Sequence, residues 1–311
     1  MMLRKRMMGM LSRYKMIQLL ITLFFLIIIT GASSAATITV NDDPEANYTS
    51  IQDAIDNSNS GDTILVNPGT YNENLNINKP LTIVSNSEIP DKTTVQASEN
   101  DNVFYITSNN VIIRGFSITG THGPSKAGIY LDEVEECIIT NNILSNNENG
   151  IELVSSSNNI LINNTIKSNT FDGIFLERSN NNELRNNSIY FNIWNGIVLE
   201  ASNNNRFSNN TINSNRLDGI SFINSNNNLI NNNSIGSNGK NGISLDISNN
   251  NTLNDNFLIN NSEGIEADYS ENHIYNNHIS NREVSRIPFV NNLITLIMVG
   301  ICCLFMRKEK K

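Results

Sequence analysis

The sequence predicts an all-β parallel solenoid, and three observations carry that prediction. The pair Gly-Ile recurs at Gly128, Gly150, Gly173, Gly196, Gly219, Gly242 and Gly264, at intervals of 22 or 23 residues. A fixed interval of this size marks stacked repeats rather than a single globular core. Within a unit the apolar residues come two apart with polar neighbours, as in Ile174 and Leu176, which is strand periodicity. Between these strands lie Ser/Asn clusters too short and too polar for helices. Repeats built of two helices are excluded by that composition, and the leucine-rich signature is missing. Each unit is therefore expected to fold as two or three short strands, laid on the previous turn at about 4.8 Å.

Four apolar columns run through the array. They are Ile151/Ile174/Ile197/Ile220/Ile243, Leu153/Leu176/Leu199/Phe222/Leu245, Leu161/Leu184/Phe207/Ile230/Leu253 and Ile166/Ile189/Ile212/Ile235/Leu258. Stacked in register they become internal rods, each buried side chain contributing roughly 1.5–3 kcal/mol. Asparagine forms columns of its own, Asn164/Asn187/Asn210/Asn233/Asn256 and Asn169/Asn192/Asn215/Asn238/Asn261. Asn tolerates left-handed backbone at a sharp bend, and its amide can donate and accept from turn to turn. The expected role of most asparagine is thus structural.

From the N-terminus, Arg4, Lys5, Arg6, Arg13 and Lys15 precede an apolar run, Met16 to Ile29, and small residues follow. This describes a secretory signal peptide over 1–35, the other reading being a retained N-terminal anchor. The exported body is 37–286. Ser50-Ile-Gln-Asp53 has capping-box form and opens a short amphipathic helix over 49–58, placed to cover the first core layer. Irregular turns follow, then regular coils over 128–283. Residues 287–306 are apolar and long enough to span a bilayer, with a basic tail over 307–311 on the far side. A C-terminal anchor is the plain reading, and removal by a sorting transpeptidase is the other.

Without the terminal segments, 12 basic stand against 29 acidic residues, a net charge of about −17 that disfavours nucleic acid. Cys137 stands alone in the body and suits a core position.

The GI-x-L…N-x-I…N pattern resembles the right-handed parallel β-helix repeats of NosD-like and other carbohydrate-binding and sugar-hydrolase (CASH-type) proteins. The stretch from Tyr48 to Ser85, with GDTILVNPGTY inside it, is similar to the N-terminal segment of those proteins. The resemblance implies a single-stranded right-handed, pectin-lyase-like β-helix at the cell surface. It does not fix an activity, because the family mixes enzymes, binders and surface proteins.

On the Gly-Ile-x-Leu strand the alternate positions point outward, and the bend before it carries Asp172, Trp194 and Asp218 with Phe171 and Arg216. Aromatic rings beside carboxylates suit a sugar, the ring stacking on a pyranose and the acids accepting from hydroxyls. Phe171, Phe175, Trp194 and Arg216 are the candidate contacts for a polysaccharide or surface glycan. Asp172, Glu177, Glu200 and Asp218 are the weaker candidates for a hydrolase or lyase, since carboxylates one or two turns apart fall near glycosidase separations in any such stack. Solvated acids that keep the rod soluble are the plainer reading. The polygalacturonase and alginate-epimerase motifs are missing from this sequence. Copper is implied by the NosD resemblance, yet the exported body offers only His122, His273 and His278 and, outside its membrane segment, no methionine. His273 and His278 in HIYNNH are the candidate pair, with surface polar residues as the plainer reading. No calcium loop of known spacing appears, so no cofactor is expected. Asn163, Asn186, Asn209 and Asn232 each open an N-x-[ST] sequon at 23-residue steps and should face solvent, although an Asn-rich repeat also generates sequons by drift.

Overall fold

The computed structural model describes residues 35–41, 46–121, 123, 125–268 and 271–281. The expected signal peptide, the C-terminal apolar segment, the basic tail and His122 lie outside the described residues. Among the described residues no helix is long and apolar enough to cross a membrane.

Among the described residues thirty short strands form three sheets in which every pairing is parallel. Sheet A has 11 strands, from Thr37–Val40 to His273–Tyr275. Sheet B has 10, from Gly69–Asn72 to His278–Ser280, and sheet C has 9, from Leu75–Ile77 to Glu263–Asp268. The chain visits C, A and B in turn and then climbs one rung. Equivalent residues stack as the 23-residue step requires: Ile174 pairs with Ile197, Leu184 with Phe207 and Ile189 with Ile212. All four apolar columns are buried, at 0–1% exposure. Two phenylalanines met on the way, Phe207 and Phe222, make an edge contact at 6.1 Å instead of overcrowding one column.

The repeated glycine has a steric cause. A Cβ on Gly196 would lie 2.5 Å from Ile212 Cγ2 and 2.6 Å from the Gly219 carbonyl oxygen, so the turns could not close to one strand spacing.

The asparagine columns do two jobs on adjacent residues. The left-handed residue at the corner from A to B is Asn163, Asn186, Asn209 or Asn232, with φ of 55–57°. Its successor is the buried rung. Asn187 donates from its backbone N and from Nδ2 to Asn210 Oδ1 (2.9 and 3.1 Å), and Nδ2 also donates to the Leu161 carbonyl (2.8 Å). The expectation had assigned both properties to the rung residue. They separate because a side chain directed inward cannot also occupy the outward left-handed corner. Ser156, Ser179, Ser202, Ser225 and Ser248 make a further buried column between sheets C and A, where Ser156 and Ser179 each donate from the backbone to the next hydroxyl.

The helix spans Ile51–Asn57 and packs Ile51, Ala54 and Ile55 against the first turns. Ser50 Oγ accepts from the Asp53 amide at 3.2 Å, and a distant carboxylate takes the first two amides of the helix. Glu73 accepts from the Ile51 and Gln52 amides at 2.9 and 2.8 Å and from Ser50 Oγ at 2.9 Å. Its carboxylate meets the positive end of the helix, a contact no local motif could have shown. Cys137 is fully buried, and burial pushes its thiol up to about 11.

Candidate functional site

The corner from sheet B to sheet C carries the most unusual surface. Other turns place Ser, Asn or, at Gly120, glycine at its left-handed position; one turn places Phe191 there, with φ 58° and 59% exposure. A bulky side chain in that conformation is uncommon, and such strain clusters at functional surfaces. Ile193 and Trp194 follow at 44% and 45% exposure. Backbone bonds hold the stack: the Trp194 amide donates to the Phe171 carbonyl (3.1 Å) and the Leu217 amide to the Trp194 carbonyl (3.0 Å). The Phe171 and Trp194 rings consequently lie with centroids 4.4 Å apart, tilted by 37°. Phe191 is in turn edge-on to Tyr190 at 5.3 Å. Phe175 stands apart from the Phe171–Trp194 pair, half-buried on the outer face of sheet C between Glu152 and Val198. Arg216 is exposed one rung above Ile193, in the column beside Trp194.

The acidic candidates divide. Asp172 is not a solvated acid: it is 7% exposed, and its Oδ1 accepts from the Asn195 amide and side chain at 2.8 and 3.0 Å. The same column runs Asn149, Asp172, Asn195, Asp218, Asn241, each side-chain oxygen accepting the next turn's amide. Asp replaces Asn as a rung, because both offer the one oxygen the ladder needs. Burial pushes Asp172 up to about 6 and also raises Asp218. Glu177 pairs with Glu200 across adjacent rungs; Glu177 is half-buried and bridged by Arg178, and Glu200 is exposed. Two outward positions prove covered: Glu152 accepts from Asn149 Nδ2 at 2.9 Å beneath its neighbours, and Val198 is 5% exposed. Burial raises the Glu152 carboxyl, with Glu148, Glu177 and Asp172 adding to it.

A second cleft, of about 260 Å³, lies nearer the N-terminal end of sheet C. Tyr105 and Tyr130 occupy neighbouring rungs with ring centroids 5.7 Å apart. Tyr105 donates to Asp132, and Lys126 pairs with Asp101 at 2.8 Å on the rim. The hydrogen bond to Asp132 pushes the Tyr105 hydroxyl up to about 12, and burial does the same for Tyr130. Tyr130 and Asp132 are alternate, outward positions of a Gly-Ile-x-Leu strand, whereas Tyr105, Lys126 and Asp101 lie outside that pattern and the sequence reading missed them. The triplets Phe-Tyr-Ile at 104–106 and Ile-Tyr-Leu at 129–131 were the available signal, hidden by a 25-residue step between them.

The metal candidates do not converge. His273 and His278 open strands of different sheets and both are exposed; the His278 ring stacks on Phe257 at 4.8 Å. Among the described residues no three His, Cys, Asp or Glu side chains gather as a metal would require, and the lone buried thiol lies elsewhere. This donor set does not fit a copper centre. The four sequon asparagines are all exposed, at one column of corners.

The profile of a family described as periplasmic copper-binding protein (NosD) matches residues 55–217, and that of a right handed beta helix region matches 173–303. A cell surface glycoprotein of Methanothermus fervidus is 38% identical over 131 residues, 41% of this chain and 21% of its own length. The match thus spans about a fifth of that relative. Among solved structures, the catalytic domain of a GH87 α-1,3-glucanase in complex with nigerose has a TM-score of 0.60 at 18% identity, over 73% of this chain and 46% of its own. Pectate lyase Pel9A has a TM-score of 0.54 at 18% identity, over 81% of each chain. The enzymatically active domain of bacteriophage CBA120 tailspike protein 2 has 0.64 at 15%, over 80% of this chain and 43% of its own. At these identities the likeness is one of fold.

Proposed function

The chain belongs to the NosD family of right-handed parallel β-helix proteins, and on that premise we propose that it is an exported, non-catalytic surface protein that holds polysaccharide. The observation that carries this reading is the Phe171–Trp194 ring pair, stacked at one corner of the rod and half open to water. Exposed stacked rings suit the apolar face of a pyranose, and Tyr105, Tyr130 and Asp132 offer a second platform with a hydroxyl acceptor. The surrounding acids favour neutral or amine-bearing sugars over acidic ones. A surface location is supported by the cell surface glycoprotein relative, with residues 1–35 as the export signal and 287–306 as the attachment to the membrane. In this reading the helix at Ile51–Asn57 is the lid of the first core layer. No copper role is assigned.

One observation favours a hydrolase or lyase as the second reading: Glu177 and Glu200 share a column on adjacent rungs, whose backbones lie one strand spacing apart, about 4.8 Å, and a retaining pair needs carboxyls about 5 Å apart. A single experiment separates the two. The full-length protein is incubated with envelope polysaccharides, and retention and new reducing ends are measured for wild type, Trp194→Ser and Glu177→Gln. The binding reading expects retention lost in Trp194→Ser and no reducing ends from any variant. Reducing ends that vanish in Glu177→Gln would install the enzyme reading instead.

A further inference from the structure

Asn163, Asn186, Asn209 and Asn232 form one vertical row at the corner between sheets A and B. All four are exposed, and the Thr or Ser two residues on lies outward in sheet B, so each acceptor sequence is accessible from solvent. The row is bounded by Asn141 and Asp255, which hold the same left-handed corner (φ 54° and 53°) without a sequon. Below Asn163 an open cleft of about 420 Å³ runs past Asn141, Gly115 and Arg114. Within the row there is no such room. Neighbouring amides are one strand spacing apart, about 4.8 Å, and Asn232 Nδ2 donates to Asn209 Oδ1 at 2.6 Å.

We propose that this row is an N-glycosylation site at which occupied positions are never adjacent, so that one molecule carries at most two glycans on its four acceptors. The proposal rests on the export reading above. In each modification Asn Nδ2 attacks C1 of a lipid-linked glycosyl phosphate. The N–C1 bond forms, the C1–O bond to phosphate breaks with its electron pair leaving on the phosphate, and the amide loses one proton to solvent. The Nδ2 that reaches its neighbour's oxygen is the atom that would carry the sugar. A bulky hydrated glycan there excludes a second one a single rung away.

Tryptic cleavage after Lys167, Arg185, Arg206, Arg216 and Lys240 leaves each acceptor on its own peptide, so occupancy can be read site by site in the exported full-length protein. Glycan must be found on the row, and the fractional occupancies of any two neighbours must sum to no more than one. Thr211→Ala removes the Asn209 acceptor but keeps Asn209 at its left-handed corner, so the fold is retained, as circular dichroism checks. In that variant occupancy at Asn186 and Asn232 should rise. A neighbouring pair summing above one overturns the exclusion, and an exported protein with all four sites bare overturns the assignment. Bare sites on protein whose signal has been cleaved would leave the polysaccharide reading standing, whereas uncleaved protein held inside the cell would refute export itself.

Discussion

Asp172 shows how far residue type alone misleads. As a carboxylate beside the only tryptophan it reads as a candidate acid, yet its oxygen occupies the place an Asn fills one turn away. Asp and Asn are interchangeable as acceptors, so the sequence could not separate catalyst from rung. The cost of the substitution is electrostatic. Burial raises Asp172 to about 6, against an ordinary value of about 3.9, so the folded chain binds a proton that the unfolded chain lacks between those values. This group therefore weakens the fold progressively as pH rises from about 4 to 6, and the penalty is complete above that. Asp172→Asn keeps the acceptor and removes the penalty. It is expected to stabilise the protein at pH 7 by up to about 3 kcal/mol and to leave stability at pH 4 nearly unchanged. Thermal unfolding at the two pH values checks this, and an equal shift at both would refute the burial penalty.

At the scale of the element, the corner from A to B pairs an exposed left-handed Asn with a buried one, and the two should respond differently to the same change. Asn210→Ala strands the Asn187 amide and the Leu184 carbonyl, both inside the rod. Each unmet buried group costs about 1–3 kcal/mol, so a loss of roughly 2–5 kcal/mol is expected. Asn209→Ala forfeits mainly left-handed tolerance, about 1 kcal/mol. Urea unfolding of the two variants distinguishes them, and similar losses would show that the buried amides do not bear the load. The columns were legible in the sequence because the period is nearly constant from Gly128 onward. Which Asn of each pair faces solvent was legible too, but not that the left-handed backbone falls on that exposed Asn rather than on the buried rung, since both residues are asparagine. The link from Glu73 to the helix N-terminus was likewise hidden, because it joins residues 21–23 apart in the irregular first turns.

For the whole molecule, the period, the strand alternation and the aliphatic columns together specified a parallel rod with two or three strands to a turn, and the structure has three sheets. The site was only partly legible. Period and residue type brought Phe171 and Trp194 to one corner, but the left-handed Phe191 and the tyrosine cleft depend on backbone conformation and on early turns outside the period. The rod has a single tryptophan, and it lies in the proposed ring platform, so its fluorescence reports that corner alone. The most direct measurement is a titration of the full-length protein with envelope polysaccharide while Trp194 emission is followed. A saturable blue shift, abolished by Phe171→Ser, is the expected result. Polysaccharide that is retained while the Trp194 spectrum stays unchanged would contradict the account.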